Sequence, residues 1–135
     1  MPSLFTEDTY EQAIIEVFEN MGYDHIYAPD FDRDYTSPIL DSILRDSLVR
    51  INRGLPVEAI DEAMSKLKNF DTGSLLQKNM IFMDYLQNGV TVKFFVKGEE
   101  QSSIVRLIDY QNVKSNSFYV VNQFTFLENG NNRRP

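Results

Sequence analysis

The stretch Met80-Ile-Phe-Met-Asp-Tyr-Leu-Gln-Asn-Gly-Val-Thr-Val-Lys-Phe-Phe-Val96 changes its period in the middle, and that change decides the fold class. From about Ser74 to Gln87 apolar residues recur at helical spacing, which predicts an inward face of Leu76, Met80, Met83 and Leu86. The methionines read as gap-filling core. Asn88-Gly89 is a helix stop, because glycine takes the left-handed conformation past a helix end without strain. Val90 to Val96 then reads as a strand.

Upstream of this boundary the chain is helical. Thr6 is an N-cap type followed by Glu7 and Asp8, acids suited to the positive end of a helix dipole, and predicts a first helix to about Met21-Gly22. Its apolar stripe is Tyr10, Ile14, Val17, Phe18 and Met21. Tyr23 to Ala28 reads as a short extended segment. Ser37-Pro38 predicts the cap and first turn of a second helix ending near Gly54, and Pro56 opens a third with Val57, Ile60, Ala63, Met64 and Leu67 buried. Downstream, Ile104 to Tyr110 and Phe118 to Leu127 read as two more strands, and short connections favour an antiparallel meander. The predicted class is α+β, with a helical first two-thirds and a stranded last third, as one domain over residues 1–135.

Composition narrows the function. At 135 residues with 42% hydrophobic and 13% aromatic content the chain suits a packed domain, one that buries roughly two-thirds of its unfolded surface. No apolar run is long enough for a membrane span, and there is no cysteine to cross-link. Together with an N-terminus that lacks a basic, apolar signal pattern, this predicts a cytoplasmic protein. The formal charge of -7 argues against a protein that coats DNA, since duplex binding is driven by Lys and Arg. Residues 1–75 carry 15 acids and 6 bases, whereas 76–135 carry 5 acids and 7 bases. Any face toward DNA is therefore expected in the C-terminal part, where Arg106, Lys114, Arg133 and Arg134 are the candidate contacts. A plain solvated surface is the alternative.

One carboxylate stands out. At 100° per residue Glu11 falls between Phe18 and Ile15, inside the apolar arc of the first helix, while Asp8, Glu16 and Glu19 fall on the polar side. A carboxylate there is costly unless it is paired, protonated or bound to a cation. Either Glu11 sits at the stripe's edge with its head in solvent or on an Arg, or it serves a site. Asp30, Asp32 and Asp34 mimic the start of a calcium loop, but Tyr35 replaces the turn glycine and Ser37-Pro38 starts a helix, so a solvated acidic loop is expected. His25, the only histidine, has no companions for a zinc site or a triad. Asn122 and Gln123 form a polar pair in a strand, facing outward or bordering a cleft. The sequence contains no glycine-rich nucleotide-binding loop.

The ending Val120-Val-Asn-Gln-Phe-Thr-Phe-Leu-Glu-Asn-Gly-Asn-Asn-Arg-Arg-Pro135 resembles the N-terminal domain of the R (restriction) subunit of type I restriction-modification enzymes. Thr6-Glu7 to Gly22-Tyr23, the helix pair from Ile39 to Leu67 across Arg53-Gly-Leu-Pro56, and Val105-Arg-Leu-Ile-Asp109 are similar to the corresponding stretches of that family. The resemblance covers nearly the whole chain and rests on order and spacing. It implies a PD-(D/E)xK, restriction-endonuclease-like domain whose catalytic Asp and Glu-x-Lys strands follow this segment and are not among these residues. The domain is thus expected to be incomplete and inactive alone.

For the parent, the resemblance implies Mg2+-dependent cleavage of unmodified duplex DNA coupled to ATP-driven translocation, in a complex with methylation and specificity subunits. Neither Mg2+ nor ATP is expected on these residues by themselves. In related nucleases a Glu on the first helix stands beside the metal, a role Glu11 matches. A missing neighbour strand would bare Val120, Phe124 and Phe126 and favour a two-fold homodimer. The alternative function is a small acidic interaction or DNA-mimic module without catalysis.

Overall fold

A computed structural model describes residues 6–70, 73–128 and 131–133. In chain order the elements are α1 (Glu7–Asn20), β1 (Asp24–Tyr27), α2 (Asp41–Ile51), α3 (Val57–Lys68), α4 (Leu75–Asn88), β2 (Val90–Val96), β3 (Glu99–Val105), β4 (Tyr119–Asn122), β5 (Phe126–Glu128) and β6 (Asn131–Arg133). The chain divides into two compact units. The first is built from Met1–Leu40 and Ser117–Pro135, and the second from Asp41–Asn116. The mixed helix-and-strand class read from the sequence holds.

The second unit contains a dry core. Alternation along β2 sends Val90, Val92 and Phe94 inward, onto Ala59, Ile60, Ala63, Met64 and Leu67 of α3, Leu48 of α2 and Val105 of β3. β2 and β3 form an antiparallel hairpin joined by Lys97 and Gly98, both at positive φ (53° and 80°), the backbone of a tight two-residue hairpin turn. The turn fixes the register, so the strand opposite β2 is Glu99–Val105, and the expected strand Ile104–Tyr110 is shifted toward the N-terminus. Gly89 ends α4 at φ 84°, where an added Cβ would lie 2.9 Å from the Val105 carbonyl oxygen. Only glycine fits there.

Helix α4 departs from its predicted packing. Ser74 and Gln77 form a reciprocal capping box, as the sequence allows. Yet no α4 residue is fully buried: Leu76 (70%), Met80 (64%) and Met83 (52%) are exposed, and only Leu86 of the expected face is half-buried. Phe70 against Phe82 and Tyr85, and Tyr110 Oη donating to the Leu86 carbonyl, are its anchors. Helix α2 begins at Asp41, because the Ser37 hydroxyl accepts from Ile39 N–H in a local turn and does not cap the helix.

In the first unit Thr6 caps α1 by accepting from Thr9 N–H. β1 pairs in parallel with β4, from Asp24 opposite Tyr119 to Tyr27 opposite Asn122. The run Phe118–Leu127 is therefore not the third strand of a meander. It leaves β3 behind, joins β1, and breaks after Asn122 because Gln123 sits at φ 53°. β5 and β6 then form a short antiparallel pair. Tyr23 packs edge-on against Phe18 and tilted against Phe118, which fixes the end of α1 to this pair of strands.

Candidate functional site

In the first unit α1 turns its carboxylate inward and its best apolar face outward. Ile15 is buried and Glu11 and Phe18 are half-buried, whereas Tyr10 (60%), Ile14, Val17 and Met21 are exposed, contrary to the stripe expected from periodicity. Glu11 Oε1 accepts a 2.8 Å hydrogen bond from Gln123 Nε2. Of the two readings left open for Glu11, solvent or Arg on one side and a site on the other, the structure shows a third partner, a neutral amide. Gln123 reaches it from a left-handed backbone, which costs a residue with a Cβ about 1–2 kcal/mol. Strain of this kind persists only where the surroundings hold it, and it clusters at functional positions.

Beside this pair, His25 Nε2 donates to Asn122 Oδ1 at 2.7 Å, and Asn122 is buried. The lone histidine thus serves to satisfy a buried amide across the β1–β4 pair. Arg33 is held between the rings of Tyr35 and Phe124, each centroid 4.2 Å from its guanidinium carbon, and donates to the Thr125 carbonyl. Its Nε and Nη1 are buried without a hydrogen-bond partner. Phe124, with Val120 and Phe126, is half-buried. Asp34 accepts from Thr36 N–H at 2.9 Å in a local turn, and Asp30 and Asp32 are exposed. Among the described residues no three His, Cys, Asp or Glu side chains converge as a metal site, so Glu11 is not part of a full ligand set within these residues.

The second unit holds a cleft of about 450 Å³ over the end of α2, lined in part by Arg50, Arg53, Arg106 and Asp109. Asn52 is its keystone. Its buried amide donates to the Leu48 and Arg106 carbonyls and accepts from Arg106 N–H, all at 2.8 Å, which ties the chain after β3 to the last turn of α2. Arg50 Nε donates to the Ser115 carbonyl at 2.7 Å, fixing the guanidinium to the neighbouring loop. Asp109 shapes that loop: hydrogen bonds from Asn112 N–H and Gln111 N–H, with Arg106 nearby, hold its carboxyl below the ordinary range. Its charge is thereby committed to the loop.

Of the four basic candidates from the sequence, Arg106 lines this cleft. Lys114 lies beside Ser115 in the turn Val113–Ser115 and does not line it. Arg133 closes β6 opposite Phe126, and Arg134 lies outside the described residues. Sequence reading missed Arg50, Arg53 and Asn52. Arg50 and Arg53 flank the stop of α2 and carry a readable charge signal, but the Asn52 clamp joins residues far apart in the chain. Among the described residues no helix is long and apolar enough to cross a membrane.

Comparison with known proteins follows the same lines. Residues 4–135 match the family model described as the type I restriction enzyme R protein N terminus. The chain is 31% identical over 134 residues to a protein of Methanocaldococcus jannaschii named as the MjaIXP type I restriction enzyme endonuclease subunit, covering 93% of this chain and 13% of that one. It is 28% identical over 128 residues to the type I restriction enzyme HindI endonuclease subunit of Haemophilus influenzae, covering 89% and 12%. The chain thus spans about an eighth of the length of these relatives. No solved structure matches it. With the family matched from residue 4 to residue 135, the chain belongs to the N-terminal region of the type I restriction enzyme R, or endonuclease, subunit.

Proposed function

We propose that this segment opens the DNA-cleaving module of a type I restriction enzyme, and that Glu11 stands at the edge of its active site. The observation that carries the proposal is the inward carboxylate of Glu11, hydrogen-bonded by Gln123 from a strained backbone, in a chain of the endonuclease-subunit family. A structural residue at the margin of a helix stripe has no need of a strained partner. In this reading Mg2+ and ATP act in the whole subunit, cleavage is of unmodified duplex DNA coupled to translocation, and the methylation and specificity subunits are its partners. The role of this segment's own residues is to orient the Glu11 carboxylate and hold it in a partly dry setting.

The test uses the longer polypeptide that carries this chain at its N-terminus, assembled with its partner subunits. Glu11→Gln is expected to lower the rate of DNA cleavage at least about tenfold, or about 1.4 kcal/mol of barrier, while the melting temperature stays the same. An unaltered rate, or parallel losses of rate and stability, overturns the role.

A second reading draws on charge. The unit formed by residues 1–40 and 117–135 holds ten acids against three bases, which accounts for all of the net -7. Such a surface suits docking onto a basic protein or mimicry of DNA. In that case Glu11→Gln leaves cleavage untouched, and removal of exposed acids such as Glu16 and Glu19 weakens assembly.

A further inference from the structure

We infer that the cleft over the end of α2 is a docking site for the phosphodiester backbone of a nucleic acid, with Arg50, Arg53 and Arg106 as its phosphate contacts and Asn52 as the residue that holds the Arg106 backbone against the end of α2. The local charge is concentrated, not inherited. Residues 41–116 hold ten acids and ten bases, yet the cleft gathers three arginines around one carboxylate. That carboxylate, Asp109, already accepts from the Asn112 and Gln111 N–H groups, so its charge is partly met within its own loop.

One of the arginine side chains, Arg50, is set in place before any ligand arrives, on Ser115 and Ser47, and a second arginine is anchored by its backbone. Arg50 is fixed through Ser115, and the backbone of Arg106 is fixed through Asn52, while Arg53 and Arg106 expose their side chains. Pre-ordering reduces what binding must spend on side-chain entropy. Guanidinium forks match phosphate oxygens in pairs, which a lysine ammonium cannot do.

The chemistry of the cleft selects among anions. A terminal polyphosphate is usually cradled by a glycine-rich loop of backbone N–H groups, and the sequence has none. Separate arginines beside the aliphatic side chains of Ile51, Leu55 and Ile104 suit singly charged phosphates strung along sugars. Contacts of this type position a strand without reading its bases. The choice of nucleic acid as the strand's owner rests on the DNA-cleaving reading above, whereas the presence of an anion site does not.

The experiment measures binding, not cleavage. The 135-residue chain is titrated into a fluorescent mixed-sequence duplex with chelator present and no nucleotide, between about 50 and 200 mM salt. The expected result is weak binding, with a dissociation constant on the order of 10⁻⁴ to 10⁻⁵ M at the low-salt end. Arg53→Ala with Arg106→Ala is expected to weaken it at least about fivefold and to reduce the slope of log K against log salt by about 2. Lys78→Ala with Lys93→Ala, which removes the same charge elsewhere in the unit, is expected to change affinity less than about twofold. If the alanine pair melts early, Arg53→Gln with Arg106→Gln replaces it.

Absence of binding at low salt, equal losses in both pairs, displacement of the duplex by inorganic pyrophosphate at constant ionic strength, or equal capture of polyglutamate each overturns the assignment. Because neither metal nor cleavage enters the measurement, failure here leaves the Glu11 test standing. Failure of Glu11 leaves this result standing in turn.

Discussion

The two units solve the folding problem by different means. Residues 41–116 bury a continuous apolar cluster from α2, α3, β2 and β3 and carry no net charge. In the other unit the buried apolar side chains among the described residues are Ile15 and Ala28, and polar pairs do much of the joining: Glu11 with Gln123, His25 with Asn122, Arg33 with Thr125. A net hydrogen bond contributes about 0.5–1.5 kcal/mol, less than a buried leucine or isoleucine. The second unit is therefore the scaffold. The first unit spends its stability on an inward carboxylate, a strained glutamine and an arginine with two buried nitrogens left without a partner.

Breaking the scaffold should give the largest effect. Leu48 is fully buried, so Leu48→Ala is expected to cost about 2–5 kcal/mol in a urea melt followed by circular dichroism. A loss under about 1 kcal/mol would mean that the apolar cluster is not the main support. Gly89→Ala should come next, at more than about 1 kcal/mol, since it combines a positive φ with a Cβ placed against the Val105 carbonyl. Equal stability would show that the α4–β2 junction can relax. The smallest effect sharpens the contrast from the other side. Met80→Gln, on the exposed face of α4, is expected to shift stability by less than about 0.5 kcal/mol. A loss of 2 kcal/mol or more, typical of a core methionine, would restore the packing that the sequence pattern implies.

What the sequence made legible was local. Thr6 as a cap, the Asn88-Gly89 stop and the bounds of β2 at Val90–Val96 all follow from side chains acting within a few residues of themselves, whereas the Ser74 capping box emerged only from the structure. The buried face of α3 was readable at Ile60, Ala63, Met64 and Leu67, but Val57, expected inside, is exposed (55%) in the first turn and Ala59 is buried instead. The exposed stripes of α1 and α4 were misread for one reason: periodicity shows that a face is apolar, not that a neighbour covers it. β3 was hidden because Glu99-Glu-Gln-Ser-Ser103 lacks strand formers, and the Lys97-Gly98 turn with β2 imposes the conformation. Glu11 could be singled out by its place on the wheel. Its partner Gln123 could not, since that contact depends on a parallel strand pair formed across the rest of the chain.

The parallel pairing of β1 with β4 also sets an order of events. Asp24 cannot meet Tyr119 until the intervening residues, the whole of the second unit, have been synthesised. That unit is contiguous and can condense as it emerges from the ribosome, whereas the first unit must wait for its two ends. Closing a long loop is penalised less when the loop has already collapsed, so early folding of residues 41–116 shortens the search for the β1–β4 register. The Glu11–Gln123 contact is then expected to form after the arginine-lined cleft is complete.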